Sequence, residues 1–370
     1  MKKRLALTTW PTLFPSQAHP AINAVSPTLK KYVEKIMKTT NLLILSIAVI
    51  AGSLAGAARA ETNLLLVCNK GDRTLSVINP ETGGQIAVVN EDGVTGHEVV
   101  ASADGRLAFV PIYGNSGVGH PGTDGQLIRV IDIERHSIVG TVNFTKGMRP
   151  HCAVIGPKDQ LLYVTTELDN SITVIDPKTF AILYSIPTDQ IESHMLAITS
   201  DGNFGYTANV KPGTVSVLDL KARKVLKVIP VAKTAQRICM SRDDRWVFTA
   251  DQTKPQMAVI DVKTNQVARW IELPGVGYGA ATTPGNQWLV VAMPSIRKAA
   301  LVDLRTMKLA GTVDLPKNPQ EVLIRPDGKV AYVSCDASKK VAAIDLKTFK
   351  VEKLIDAGKG VDGLAWAVRP

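Results

Sequence analysis

One feature constrains this chain more than any other: a short apolar strand ending in an acidic or amide residue recurs seven times. The copies are Val77-Ile78-Asn79, Val130-Ile131-Asp132, Val174-Ile175-Asp176, Val217-Leu218-Asp219, Val259-Ile260-Asp261, Leu301-Val302-Asp303 and Ala343-Ile344-Asp345. Their closing residues lie 53, 44, 43, 42, 42 and 42 positions apart. A unit of this size cannot bury a core alone and must stack on its neighbours. Each unit also carries a turn such as Ser200-Asp201-Gly202 or Pro326-Asp327-Gly328, then a β-rich run such as Ala331-Tyr332-Val333-Ser334. A further strand, such as Val225-Leu226-Lys227-Val228-Ile229, follows the acidic residue. Four short antiparallel strands per unit make a propeller blade. No helical periodicity is found after residue 60 over a length that supports a helix. Residues 63–90 supply three strands and Val361–Val368 a first strand without the other three. The expected fold is therefore all-β: a seven-bladed β-propeller closed by pairing of N- and C-terminal strands in one blade. The long first interval is an insertion, Gly114 to Gly125, rich in loop-forming residues.

The charge lies mostly outside the repeats. Residues 1–60 carry eight basic residues against Glu34 alone, so they hold most of the net charge of +10. The nearly neutral remainder, without interleaved basic and aromatic residues, gives no reason to expect nucleic acid as a partner. Lys38 precedes an apolar run, Leu42 to Ala51, and the small-residue triplet Ala58-Arg59-Ala60. That order reads as a secretory signal peptide cleaved after Ala60, with Met37 as an alternative translation start. The run is shorter than the ~20 apolar residues a membrane span requires. Residues 1–60 are thus read as a leader and 61–370 as one propeller, periplasmic or secreted, with no membrane span after cleavage. Cys68, Cys152, Cys239 and Cys335 lack metal-ligand spacing and read as small buried hydrophobes. A Cys68 to Cys335 bridge stays open in an oxidising compartment.

Tyr163-Val164-Thr165-Thr166, followed by Asp169-Asn170-Ser171-Ile172-Thr173-Val174-Ile175-Asp176, resembles the secreted propellers with YVTN-type repeats. That family includes relatives of lactonases and of amine dehydrogenase heavy chains. The resemblance spans residues 61–370 and implies architecture and export but no single reaction.

Aligning the units on their Asp-Gly turns puts seven residues at one place, the start of each innermost strand: His97, His151, His194, Gln236, Tyr278, Gln320 and Asp362. Equivalent positions on innermost strands ring one mouth of the central channel. Three consecutive blades offer histidine there, although residues 61–370 contain only His97, His120, His136, His151 and His194. Two readings follow. In the first, His97, His151 and His194 bind a transition metal ion (copper, zinc or iron) and leave a position for water or substrate. The protein is then a metal-dependent hydrolase, lyase or oxidoreductase acting on a small oxygen-rich substrate. In the second, the histidines contact a ligand directly or bridge waters, and the propeller is a non-catalytic binding or scaffold protein. Gln236, Tyr278, Gln320 and Asp362 complete the ring as substrate contacts, with Arg237 set to hold an anionic group and His120 brought over the mouth by the insertion. Glu167, in a loop after a second strand, is the candidate general base, with Asp251 in the equivalent loop. His136 reads as surface. A small-molecule ligand is the expected partner, and a protein partner stays open. There is no Gly-x-Ser-x-Gly elbow, P-loop, dinucleotide fingerprint, His-Glu-x-x-His helix or CxxCH haem-attachment sequence.

Overall fold

The structure, a computed structural model, describes residues 63–115 and 117–368, and outside them only Thr28, Lys31, Tyr32 and Lys35, which are helical. The chain divides into two compact units, Met1–Ala60 and Glu61–Pro370. The expected signal peptide, its cleavage point and the alternative start at Met37 lie outside the described residues.

The described part of the second unit holds 28 strands, numbered β1–β28 in chain order, in seven four-stranded antiparallel sheets. Blade 1 joins the two ends of the fold: β28 (Val361–Val368) pairs with β1 (Asn63–Asn69), followed outward by β2 (Thr74–Ile78) and β3 (Gln85–Asn90). Blade 2 runs from β4 (Val100–Ala101) to β7 (Ser137–Asn143) and blade 3 from β8 (Pro150–Ile155) to β11 (Ile182–Pro187). Blade 4 runs from β12 (Ser193–Ile198) to β15 (Lys224–Pro230), and blade 5 from β16 (Ala235–Met240) to β19 (Gln266–Glu272). Blade 6 runs from β20 (Ala280–Thr282) to β23 (Lys308–Asp314), and blade 7 from β24 (Pro319–Ile324) to β27 (Lys350–Asp356). The expected propeller and its closure are both observed. The seam aligns Asn63 with Val368 and Leu66 with Ala365.

The repeat motif has a physical origin. The residue closing each third strand, Asn79 or one of six aspartates, accepts backbone N–H groups two or three residues on. These are Asx turns, for which Asp and Asn are the suited side chains. Four residues past each, the chain is left-handed: Gly83, His136, Phe180, Arg223, Asn265, Met307 and Phe349 have φ between 53° and 73°. A turn-closing bond to the Asx carbonyl, 2.8 Å from Phe180 and 2.7 Å from Met307, holds this conformation.

The core lies between blades. Val164, Val174 and Val217 are fully buried, and the apolar clusters each span neighbouring sheets. The outermost strands instead alternate exposed and covered positions. All four cysteines are free thiols, so the bridge left open between Cys68 and Cys335 does not form. Cys68, Cys152 and Cys335 are buried with their thiols facing carbonyls, those of Glu98 at 3.3 Å, Leu196 at 3.8 Å and Val333 at 3.6 Å, and Cys239 is half-buried.

Candidate functional site

The seven register positions do meet around the channel. Each sits at or just before the start of an innermost strand, and the side chains from His97 round to Tyr278 touch in succession. The His97 and His151 rings meet edge to face with centroids 5.6 Å apart, and His151 stacks on His194 at 3.7 Å. The Gln236 amide nitrogen lies 3.3 Å from His194 Nε2 and donates to the Tyr278 hydroxyl at 3.0 Å. Asp362 accepts from Lys70 Nζ at 3.0 Å. Gln320 is buried, and its carbonyl accepts from the Gly279 N–H at 3.1 Å.

Glu167 is not a solvent-facing base. It begins a short 3-10 turn after the second strand of blade 3 and is buried at the edge of the histidine cluster. Its Oε2 accepts from the Tyr113 hydroxyl at 2.8 Å and faces His194 Nδ1 at 3.2 Å, while Arg149 reaches Oε1 at 3.3 Å. Burial opposes ionisation, but the hydrogen bonds from His194 and Tyr113 and the charge of Arg149 outweigh it and hold this carboxyl below its ordinary value. With Nδ1–H directed at the carboxylate, His194 presents Nε2 as an acceptor to Gln236. A carboxylate in this place fixes a tautomer and a ring orientation. Asp251 turns back on its own loop, accepting from the Thr253 N–H and hydroxyl and from Gln256.

The insertion covers this cluster. Arg149 holds it down, with Nε on Asp124 at 2.6 Å and Nη2 on the His120 carbonyl at 2.8 Å. His120 thus contributes its backbone here while its side chain is exposed. Beneath the strap, Tyr113 is fully buried, 4.8 Å from His97 and 5.1 Å from His151 between ring centroids. Two residues that matter here, Tyr113 and Arg149, were missed in the sequence because neither belongs to the ring register. His136 lies on an exposed turn, as expected.

Arg237 is a pin across the channel and not a free anion receptor. It rises from blade 5 to bond Glu98 of blade 2, Glu321 of blade 7 at 2.8 Å and Asp362 of blade 1 at 3.4 Å. It also touches Met195 of blade 4 and lies 4.8 Å over the Tyr278 ring of blade 6. One side chain therefore links to five other blades. An anion would have to displace three carboxylates to reach it.

The histidines are held neutral. Burial pulls His97 down to about 4 and His151 well below its ordinary value, with neighbouring positive charges adding to the effect. Their arrangement nevertheless corrects the expected ion site. Among the described residues, no group of three or more His, Cys, Asp or Glu side chains is placed to hold a metal ion. The reason is geometric: His151 and His194 lie face to face with planes 29° apart, so their lone pairs run side by side instead of converging. Both His194 nitrogens are also occupied.

Residues 156–367 match the model of the family described as the cytochrome D1 heme domain. The chain belongs to that family. This overturns the YVTN resemblance, whose defining letters at Tyr163 to Thr166 fall inside the matched segment. Those letters report blade packing: Tyr163 and Val164 are buried, and the Thr165 hydroxyl accepts the Cys152 N–H and donates to the His194 carbonyl. Such needs arise in many propellers and do not separate lactonase-like ones from others. Among solved structures, hydrazine synthase of Kuenenia stuttgartiensis is similar with a TM-score of 0.65 and 17% identity, over 76% of this chain and 92% of that one. Dihydro-heme d1 dehydrogenase NirN, in complex with DHE, is similar with a TM-score of 0.61 and 13% identity, over 82% of this chain and 75% of that one. At these identities the likeness is one of fold. No curated protein matches the chain.

Proposed function

We propose that this propeller binds a d1-type heme at the histidine mouth of its channel and works as an oxidoreductase through it. One observation carries the reading: in a member of the cytochrome D1 heme domain family, His151 Nδ1 is buried at the mouth with no hydrogen-bond partner. A buried polar atom left unpaired is costly, and an imidazole nitrogen is a common axial ligand of haem iron. The donor set therefore fits an iron-centred macrocycle better than a bare ion, which the stacked rings do not chelate. The cations of the mouth fit less freely, since Arg149, Lys70 and Arg237 already face carboxylates.

His151, with His97 beside it, would hold the group, and its iron would supply one-electron chemistry. Burial keeps both imidazoles neutral, so their lone pairs are available at neutral pH. Glu167 orients His194 through Nδ1, and Tyr113 places a hydroxyl beside the same carboxylate. That hydroxyl keeps its proton, because burial and Glu167 both raise it. Arg149 clamps the strap beside the cluster while also reaching Glu167. Export belongs to the same proposal. It is supported by the basic, apolar and small-residue order of residues 38–60, while no described helix is long and apolar enough to cross a membrane.

The test is absorbance titration of the purified chain with d1-type heme. One equivalent should bind with a shifted spectrum, and His151→Ala should weaken binding at least about tenfold, a loss of ~1.4 kcal/mol. His136→Ala should bind like the wild type. A wild-type protein that leaves the spectrum unshifted, or a His151→Ala variant that binds equally well, would overturn the proposal.

A further inference from the structure

The Arg237 pin divides the channel. Above it lies the histidine mouth. Below it lies a cavity of about 640 Å³ that opens on the opposite face and is lined by residues from all seven blades. Apolar side chains such as Val99, Met195, Ile238, Leu323 and Leu364 form part of its walls, beside polar surface of similar extent. Glu98 and Glu321 stand at its inner end, because each directly follows a ring residue on its strand. Arg242, Pro284 and Pro326, from the turns at the far end of the innermost strands, mark the outer rim.

The charges at the inner end do not balance. Glu98, Glu321 and Asp362 surround one guanidinium, and among the described residues the only other cation in contact, Lys70, is shared between Asp362 and Asp336 at 3.2 Å. Arg242 lies on the exposed rim, where solvent screens it. Around Arg237 the buried cage is thus short of positive charge. A chamber with apolar side chains along its walls and a carboxyl pair short of positive charge at its inner end is complementary to one kind of occupant.

We propose that this lower chamber is a second binding site, for a small apolar molecule carrying one ammonium group, which Glu98 and Glu321 receive. The ammonium group supplies the positive charge that the cage around Arg237 lacks. The site is separate from the histidine mouth and does not depend on whether heme binds there.

Calorimetry on the full chain with cyclohexylammonium, cyclohexanol and cyclohexanecarboxylate as probes tests this. The amine should bind at least about tenfold more tightly than the alcohol, and the carboxylate should not bind. Glu321→Gln should weaken the amine at least about tenfold, and Ala153→Phe, which fills the chamber from blade 3, should abolish binding of both amine and alcohol. Equal affinity for amine and alcohol, no binding of the amine at millimolar concentration, or unchanged binding in a folded Ala153→Phe protein would each overturn the proposal. If a variant fails to fold, the comparison of probes on the wild type decides alone.

Discussion

Replacing Arg237 with methionine keeps an unbranched side chain of similar length and removes the charge that three carboxyls share, two buried and Glu321 half-buried. Arg237 and Asp362 are each 3% exposed and Glu98 7%, so solvent cannot take over that role. Removing one member of a buried ionic cluster costs about 3–5 kcal/mol, because it strands the remaining charge. Unfolding entropy of about 2.1 cal/mol/K per residue, over the unit Glu61–Pro370, gives roughly 0.65 kcal/mol/K, so the expected fall in Tm is roughly 5–8 °C. The loss should also depend on pH. Without the guanidinium, Glu98 and Glu321 rise further above their unfolded values, and Asp362, which Lys70 and Arg237 hold low, rises from its depressed one. The folded variant then holds extra protons, and its deficit grows as pH rises. Differential scanning fluorimetry of wild type and Arg237→Met at pH 5 and pH 8 measures both effects. A loss of under about 1 °C at pH 8, or the same loss at both pH values, would refute the idea that Arg237 acts by neutralising the cage.

The wild type should itself lose stability between about pH 6.5 and pH 8.5. Burial raises Glu91 to about 7 and Glu98 to about 8, so stability they contribute below their unfolded values is lost as pH climbs through the folded ones, while the depressed histidines act only below their ordinary 6.5. A Tm profile that is flat or rising over that interval would contradict these assignments. The thiols should react slowly with Ellman's reagent in the native protein and all four promptly once it is denatured, and reductant should leave Tm unchanged, since none is bridged. His136→Gly should stabilise by about 0.5 kcal/mol in urea unfolding: relief of a left-handed non-glycine residue, about 1–2 kcal/mol, is partly offset by glycine's entropy.

Register, more than motif, made the site legible. Counting from the Asp-Gly turns finds His97, His151 and His194 in consecutive blades, and the structure brings them into contact. The same count moved on by one residue gives Glu98, Arg237 and Glu321, which is the ionic cage, so that feature was readable and went unread. Tyr113 and Arg149 were not readable in this way. Their role depends on the strap after Gly114, where the repeat has no counterpart in other blades. Gly114 shows why the strap turns there: its φ is +116°, and a Cβ would lie 2.0 Å from the Thr123 carbonyl oxygen. Histidine identity, finally, does not fix ring orientation. The stacking that replaces chelation arises from packing beneath Tyr113, which composition and spacing do not encode.

The seam in blade 1 bears on how the molecule is made. Asn63 must wait for Val368, some three hundred residues later, before β1 has its inner neighbour. Loop-closure entropy rises only slowly with length, so the wait costs little at equilibrium, but contacts so distant in sequence are slow to form. During synthesis, six blades can assemble while the first remains a three-stranded sheet with a bare apolar edge, Leu64 to Val67, open to pairing with another chain. The final strand is therefore a lock that turns last. A chain that stalls before Val361 should aggregate through that edge, whereas one that delivers the eight residues Val361–Val368 seals its own template.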